Sequence, residues 1–292
     1  MAAHRTDISF ASCSGNLRLH AQIQGPEHAP LTVLCLHGLT RNSADFGSLA
    51  VLLSVRYRVL TADQRGRGKS QRDPHTANYH PGTYASDMFA LLDHLAIDRV
   101  AVIGTSMGGI VAMLMGAAQP ARLRGIVLND IGPEVPVAGL QRLRSSLNAS
   151  TPVTTWSEAS REARRVNEIA FPEYGDADWD AFARRIYAED PSGRPVAAFD
   201  PAILAGLNAA EPSAAPNLWP QWQHLKFIPI LAIRGALSDI LSAEILASMA
   251  AQHPNLRAIT LAKRGHAPML DEPAAVAAIG EFLQGLETIQ AR

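Results

Sequence analysis

Five nearly continuous apolar runs punctuate the chain of 292 residues. They occupy residues 31–36, 57–62, 100–104, 125–129 and 228–233. Strands that helices cover on both faces show such runs, because neither face of the strand meets solvent. The pattern therefore predicts the strands of a mostly parallel sheet.

Helical patterns alternate with these runs, at 45–53, 84–95, 107–119, 243–252 and 274–286. In the last of these segments, apolar residues recur every three or four positions and form one stripe. A sixth strand is expected at 256–261. Alternating strands and helices predict an α/β fold with a doubly wound, mostly parallel sheet.

Two features depart from this alternation. Residues 8–24 show partial alternation on either side of Gly15 and Asn16, which predicts an antiparallel hairpin at a sheet edge. Residues 133–224 hold all four tryptophans and helical segments at 157–170 and 179–187. We interpret 133–224 as a helical cap inserted into an α/β core formed by 1–132 and 225–292.

Composition narrows the classes of function. The net charge is −1 at pH 7 and the basic residues are scattered, so nucleic acid and an anionic membrane surface are unexpected partners. Residues 1–10 lack the apolar region of a secretory signal, and no run of about 18 apolar residues could span a bilayer, so we expect a cytoplasmic protein. Cys13 and Cys35 fall in expected strands, and we interpret them as small buried side chains in a reducing compartment.

The segment from Gly104 to Gly108 reads G-T-S-M-G, follows a strand-like run and opens a helical stretch. A serine in G-x-S-x-G between a strand and a helix sits on a sharp turn with its hydroxyl exposed. The helix N-terminus behind it supplies free N–H groups and partial positive charge. Ser106 is therefore the predicted nucleophile.

A serine hydroxyl needs a base, and a neutral imidazole serves near neutral pH. His266 lies in a loop between the 256–261 strand and the last helix, and completes the chain order Ser, Asp, His. We predict that His266 is the base. Four other histidines are expected at the surface: His4, His28, His75 and His253.

A carboxylate must hold the imidazole in the correct tautomer. Asp239 follows the strand at 228–233 and is our preferred candidate. Asp130 ends the run at 125–129, one strand earlier, and is the alternative, since it could reach the same histidine.

An acyl-transfer site also needs two N–H groups aimed at the developing oxyanion. We predict those of Met107, directly after the serine, and of Leu39 in the loop after the first parallel strand, with Thr40 as the alternative to Leu39. Four further residues are candidates for substrate binding: His37, Arg41, Trp156 and Trp179.

The sequence does not favour a phosphate-binding site or a metal site. The glycine-rich stretch 63–70 is basic, but its spacing matches neither phosphate-binding motif, so a turn beside the active-site loops is expected. Neither a Cys/His pair nor an H-E-x-x-H motif is present, and no metal or other cofactor is predicted.

With these residues the chain resembles the α/β-hydrolase superfamily, in particular capped serine hydrolases related to esterases, enol-lactonases and cofactor-free haloperoxidases. The resemblance rests on His37-Gly38, on D-x-R-G-x-G-x-S at 63–70, on G-x-S-M-G-G at 104–109, on Asp239 and on Gly265-His266. It implies an α/β-hydrolase fold. Members that use an aspartate nucleophile match less well, because Ser106 stands at that position.

The expected activity is hydrolysis of a carboxylic ester or lactone of a small molecule through an acyl-enzyme. One alternative is a hydrolase of C–C bonds in meta-cleavage products, although such enzymes commonly carry tryptophan where this chain has Ala267. An alternative of another class is a small-molecule receptor on the same fold. The sequence makes no prediction of oligomeric state.

Overall fold

The computed structural model describes residues 5–149, 151–209 and 217–290. Within them lie an eight-stranded sheet and a separate two-stranded sheet. Their strands are β1 (Thr6–Ala11), β2 (Arg18–Gln24), β3 (Thr32–Leu36), β4 (Arg58–Asp63), β5 (Val100–Thr105), β6 (Leu123–Asn129), β7 (Tyr187–Glu189), β8 (Pro195–Ala197), β9 (Ile230–Gly235) and β10 (Leu256–Leu261).

The helices lie between strands or after the last strand. They are α1 (Gly47–Leu53), α2 (Pro81–His94), α3 (Met107–Ala118), α4 (Val137–Asn148), α5 (Trp156–Asn167), α6 (Asp176–Ile186), α7 (Ala202–Ala209), α8 (Trp219–Gln223), α9 (Ala243–Gln252) and α10 (Pro273–Gln290). Of these ten helices of the described residues, seven correspond to predicted segments, whereas α4, α7 and α8 were not predicted. Short 3-10 turns at Ser43–Phe46, Thr76–Asn78 and Pro120–Arg122 complete the described elements.

The large sheet has the strand order β1-β2-β4-β3-β5-β6-β9-β10. The six strands from β4 to β10 pair in parallel, whereas β1 pairs antiparallel with β2, and β2 antiparallel with β4. The predicted parallel sheet and its antiparallel edge hairpin are both confirmed. The carboxyl ends of β3, β5, β6 and β9 meet at one edge, where open α/β sheets bind ligands.

Helices cover both faces of the sheet, which explains the uninterrupted apolar runs. On β5, Val102 belongs to a core shared with α2 and α3, and its neighbour Ile103 belongs to a core shared with α1 and α10. Both side chains are fully buried. Successive residues of a strand face opposite sides of the sheet, so a strand between two helical layers must be apolar at every position.

Between β6 and β9 the chain leaves the sheet for the segment predicted to be inserted. It contains α4 to α8, and also the antiparallel pair β7 and β8, which the sequence analysis did not predict. These strands have three residues each and are largely exposed, so they carry no apolar run that could indicate them. The division of the chain at residues 133 and 224 stays a prediction.

Two expectations about individual side chains are wrong. Cys35 is buried in β3, but Cys13 is exposed in the turn that joins β1 to β2. His253 is 2% exposed rather than at the surface, because its Nε2 lies 2.9 Å from the carbonyl oxygen of Leu225 and its ring packs against Trp222. His28 and His75 are exposed as expected, and His4 lies outside the described residues.

Candidate active site

Ser106 occupies a tight turn between β5 and α3. Its φ of +52° lies in the left-handed region, which is strained for a residue with a side chain. The turn is compact: a Cβ on Gly104 would lie 2.4 Å from the carbonyl oxygen of Gly108, and a Cβ on Gly108 would lie 2.0 Å from that of Leu36. The two glycines of the motif therefore permit the close backbone packing that raises Ser106 above the sheet edge.

His266 lies in the loop between β10 and α10 and faces Ser106. Its Nε2 is 2.8 Å from Oγ of Ser106, so the hydroxyl can donate to the neutral imidazole. The side chain is 8% exposed. The structure thus brings the predicted nucleophile and the predicted base within hydrogen-bond distance.

The carboxylate partner of His266 is Asp130, and the preference for Asp239 is wrong. Nδ1 of His266 donates to Oδ2 of Asp130 over 2.8 Å, and the Asp130 side chain is fully buried. Asp130 follows β6, which is hydrogen-bonded to the strand that carries Ser106. Adjacent strands end at the same edge of the sheet, so Asp130 needs no long loop to reach the histidine.

Asp239 is held elsewhere by Arg142 of α4. Both carboxylate oxygens accept hydrogen bonds from the guanidinium, and Nη2 lies 2.8 Å from Oδ1. This pairing is the main cause that lowers the pKa of Asp239, which is 39% exposed. The sequence cannot reveal this partner, because Arg142 lies 97 residues away in the inserted segment.

Two further donors fix the Asp130 carboxylate. The N–H of Gly235 donates to Oδ1 over 2.8 Å, and the hydroxyl of Ser238 donates to Oδ2 over 2.5 Å. Both belong to β9 and the loop that follows it. Ser238 directly precedes Asp239 in the chain, but no local sequence pattern indicates its contact with Asp130.

Asn129 connects the two loops that carry Ser106 and His266. Its Nδ2 donates to Oγ1 of Thr105 over 3.0 Å and to the carbonyl oxygen of Pro268 over 2.8 Å. Its own carbonyl accepts from the N–H of Ser106. The signal was present in the sequence, since a polar pair at the end of an apolar strand marks the ligand-binding edge of an α/β sheet.

Leu39 and Met107, the predicted oxyanion donors, both lie beside Ser106. Within the described part of the chain, neither backbone N–H has a hydrogen-bond partner. The Nε of Arg67 donates to the carbonyl oxygen of Leu39 over 2.9 Å, and its Nη2 lies 3.6 Å from Sδ of Met107. Arg67 is 1% exposed and thus braces both residues from inside the protein.

A cavity of about 690 Å³ opens over Ser106 and His266. The core supplies one wall through Leu39, Phe46 and Met269, and the inserted segment supplies another with largely apolar side chains. The wall from the inserted segment includes Leu143, Leu147, Val153, Val166, Ile186 and Phe199. The size of the cavity and its apolar lining suit a small organic molecule.

Arg41 lines this cavity, but its charge is already partnered. Its Nε and Nη2 donate to the carboxylate of Asp45 over 2.8 and 2.7 Å, and the guanidinium lies 4.4 Å from the centroid of the Phe182 ring. Among its nitrogens only Nη1 lacks a hydrogen-bond partner within the described residues. The structure therefore places Arg41 at the cavity with its charge largely compensated.

The other three substrate-binding candidates do not line the cavity. His37 is fully buried, and its Nδ1 donates to the carbonyl of Gly38 while its Nε2 accepts from the N–H of Gln64. Burial, and then the charge of Arg67, lower the pKa of His37 to about 4. Trp179 is 2% exposed among aromatic rings of the inserted segment. Trp156 donates to the carbonyl of Gly193, and Arg184 stacks on its ring. Each side chain serves local packing.

The glycine-rich segment after β4 forms turns, as expected. Asp63 accepts hydrogen bonds from the N–H groups of Ser43 and Lys69, which ties this segment to the loop after β3. In the parts of the chain that the structure describes, no cluster of three metal-ligating side chains occurs, and no helix is long and apolar enough to cross a membrane.

The chain is similar to known proteins in both sequence and fold. Residues 33–279 match the alpha/beta hydrolase family. The crystal structure of an alpha/beta hydrolase from Novosphingobium aromaticivorans superimposes with a TM-score of 0.88 at 39% identity, covering 97% of this chain and 99% of that one.

Two relatives of known activity extend the comparison. The 3-hydroxybutyrate-oligomer hydrolase of Cupriavidus necator is 28% identical over 95% of this chain and 98% of its own length. The 3-oxoadipate enol-lactonase 1 of Acinetobacter baylyi is 34% identical over 40% of this chain and 42% of its own length. The expected resemblance to esterases and enol-lactonases is confirmed, and the chain belongs to the alpha/beta hydrolase family.

Proposed function

We propose that this protein is a serine hydrolase that cleaves a carboxylic ester or lactone of a small molecule through an acyl-enzyme. The observation that carries the proposal is the continuous chain of hydrogen bonds from Ser106 through His266 to buried Asp130, each 2.8 Å long. This order of groups activates a serine on several unrelated folds. The relatives that act on ester oligomers and enol-lactones support the same chemistry.

In the first half of the reaction, Oγ of Ser106 attacks the carbonyl carbon while Nε2 of His266 accepts the hydroxyl proton. Asp130 holds the imidazole by Nδ1 and stabilises the imidazolium that forms. The N–H groups of Leu39 and Met107 stabilise the oxyanion, since both lie beside Ser106 and neither has a hydrogen-bond partner among the described residues. Collapse of the intermediate breaks the bond to the alcohol oxygen, and His266 returns the proton to that oxygen.

In the second half, a water molecule attacks the acyl carbon and gives a proton to His266. The bond from the acyl carbon to Oγ then breaks, the acid leaves, and Ser106 regains its proton from the imidazole. With an ester, the products are therefore an acid and an alcohol. A lactone gives a single hydroxy acid instead, because its acyl and alcohol parts belong to one molecule.

The cavity favours a substrate of modest size with apolar parts. Most of its wall is aliphatic or aromatic, and Arg41 contributes one guanidinium nitrogen without a partner among the described residues. Esters of short hydroxy acids, of the kind that the relative from Cupriavidus necator cleaves, are therefore part of the substrate class to be examined. We propose that the inserted segment acts as a cap that selects among such esters.

Intact-protein mass after exposure to a fluorophosphonate tests the activation of Ser106. We expect one adduct on the wild type and none on Ser106→Ala or His266→Ala, with circular dichroism showing that both variants are folded. A folded wild type without an adduct would refute the activated serine and would favour the receptor alternative.

A substrate panel then distinguishes the reactions. We expect turnover of short p-nitrophenyl esters, an enol-lactone or a 3-hydroxybutyrate oligomer, with a burst of alcohol release as the acyl-enzyme accumulates. Turnover of a meta-cleavage dienone with none of the esters would show that the C–C hydrolase alternative is correct and the ester proposal wrong.

A further inference from the structure

Ser238 makes an unusual set of contacts behind the proposed catalytic residues. Its hydroxyl lies 2.5 Å from Oδ2 of Asp130, the same oxygen that accepts from Nδ1 of His266. The hydroxyl oxygen also accepts from the N–H groups of Ile240 and Leu241, at 3.1 and 3.2 Å. Ser238 is not among the residues that line the cavity.

These contacts fix the direction of the hydroxyl proton. A serine hydroxyl has one proton and two lone pairs, and two backbone N–H groups occupy the lone pairs here. The proton is thereby directed at the carboxylate of Asp130, which has no proton of its own to offer when ionised. The loop after β9 thus provides a preoriented donor, while the N–H of Gly235 holds the other oxygen.

We infer that Ser238 is a positioning residue that sets the basicity of His266 by sharing the negative charge of Asp130. The inference rests on the proposed serine hydrolase function. A donor to Oδ2 competes with Nδ1 of His266 for the same charge, because hydrogen bonds to an ionised acceptor are strong. Ser238 therefore lowers the stabilisation that Asp130 gives to the imidazolium, compared with a site that lacks this donor.

The charged groups around His266 and Asp130 each have a partner or lie behind other groups. Asp239 on the same loop pairs with Arg142 of α4, and Arg41 after β3 pairs with Asp45. Across the cavity, Glu162 of α5 pairs with Arg165. Buried Arg67 contacts Met107, with its Nη2 3.6 Å from Sδ. In the loop that carries His266, Arg264 pairs with Glu272. Ser238 contributes a neutral side chain that contacts the Asp130 carboxylate itself, on the oxygen that also accepts from His266.

The test compares Ser238→Ala with Ser238→Thr, which keeps the hydroxyl, and with Ser242→Ala as a matched control. Ser242 lies four residues further along and accepts from the N–H of Ile245 as the N-cap of α9, so its loss costs a cap without touching Asp130. One readout is the NMR titration of the Nδ1 proton of His266, assigned by its absence in His266→Ala. The other is the pH profile of kcat/KM with a short ester.

We expect Ser238→Ala to raise the pKa of His266 and to move the acid limb of kcat/KM to higher pH, so that kcat/KM falls about threefold at a pH on that limb and stays near the wild-type value on the plateau above it. Ser238→Thr restores the wild-type values, and Ser242→Ala changes stability without moving either titration.

The two readouts separate this inference from the proposed function. A raised pKa of His266 in a protein without hydrolase activity would refute the function and uphold the role of Ser238. An active Ser238→Ala variant with the wild-type titration and pH profile would overturn the role of Ser238 and leave the function intact. Equal shifts in Ser238→Ala and Ser242→Ala would also overturn it, because they would reflect loosening of the loop.

Discussion

The side-chain amide of Asn129 donates to the carbonyl oxygen of Pro268 over 2.8 Å, and so ties the end of β6 to the loop that carries His266. The same amide donates to Thr105, the residue before Ser106. One fully buried side chain therefore sets the separation of two loops that are 160 residues apart in the chain.

Removing this brace is expected to harm both activity and stability. Asn129→Ala leaves buried acceptors without their donor, so we expect the free energy of unfolding to fall by about 2 kcal/mol. The rate of fluorophosphonate labelling should fall about tenfold, because near-attack geometry between Ser106 and His266 is lost. Urea unfolding and labelling kinetics measure the two effects. An unchanged labelling rate with reduced stability would show that Asn129 serves folding alone.

Exchange of each candidate carboxylate for its amide tests which one supports His266. Asp130→Asn should reduce kcat about a thousandfold, since an amide cannot hold the imidazole in the tautomer that accepts from Ser106. For Asp239→Asn, kcat should stay within about threefold of the wild-type value. The free energy of unfolding should fall by at most about 1 kcal/mol, because the pair of Asp239 with Arg142 is half-exposed. Steady-state kinetics on one ester measures both. The reverse order of losses would restore Asp239 as the partner.

Substitution of Arg67 tests how the loop after β3, which carries Leu39, is held in place. Arg67→Lys keeps the charge but cannot maintain the fork of donors that reaches Leu39, Arg65 and Met107 together. We expect kcat to fall about tenfold with KM nearly constant, because the displaced N–H groups act on the transition state rather than on the bound ester.

A surface exchange provides the control for Arg67. Arg184→Lys alters an exposed arginine that stacks on Trp156 and pairs with Glu189, and it should leave kcat unchanged. A rise in KM alone for Arg67→Lys would contradict the proposed support of the oxyanion site.

His20 is expected to make stability depend on pH. Burial opposes its charged form, but hydrogen bonds to Asp63 and Asp7 outweigh that cost and raise the pKa of His20 above its ordinary value. A raised pKa in the folded state contributes stability that is full below about pH 6.5, the ordinary value. That contribution is lost as the pH rises through the raised value.

His20→Gln isolates this contribution. The difference in the free energy of unfolding between wild type and variant should be largest near pH 6 and should shrink toward pH 9. Denaturant unfolding at four pH values measures it, with His28→Gln as the exposed control. A difference that is constant with pH would mean that the imidazole stays neutral between the two carboxylates.

The cavity wall from the inserted segment should control substrate size. Val166 lines the cavity and is only partly buried, so Val166→Phe narrows the cavity without overfilling a packed core. We expect kcat/KM for an octanoate ester to fall about tenfold and that for an acetate ester to stay unchanged. The ratio of the two values for wild type and variant is the measurement. Equal losses on both esters would indicate that this wall does not contact the acyl chain.

The sequence alone determined the architecture and half of the site. Strands buried on both faces must be apolar throughout, so the runs at 31–36 and 100–104 revealed β3 and β5 within one residue at each end. Ser106 was predictable because a strained turn with close backbone packing requires glycines at fixed spacing. His266 was predictable because it stands between the last strand and the last helix.

The tertiary structure alone decided between the two carboxylates. Asp130 and Asp239 both follow strands that end at the same edge, so their positions in the chain do not separate them. Arg142, from a helix of the inserted segment, pairs with Asp239, while Gly235 and Ser238 direct their donors at Asp130. A local pattern cannot reveal such partners, because they come from parts of the chain about a hundred residues away and meet only when the segment after β6 packs on the sheet.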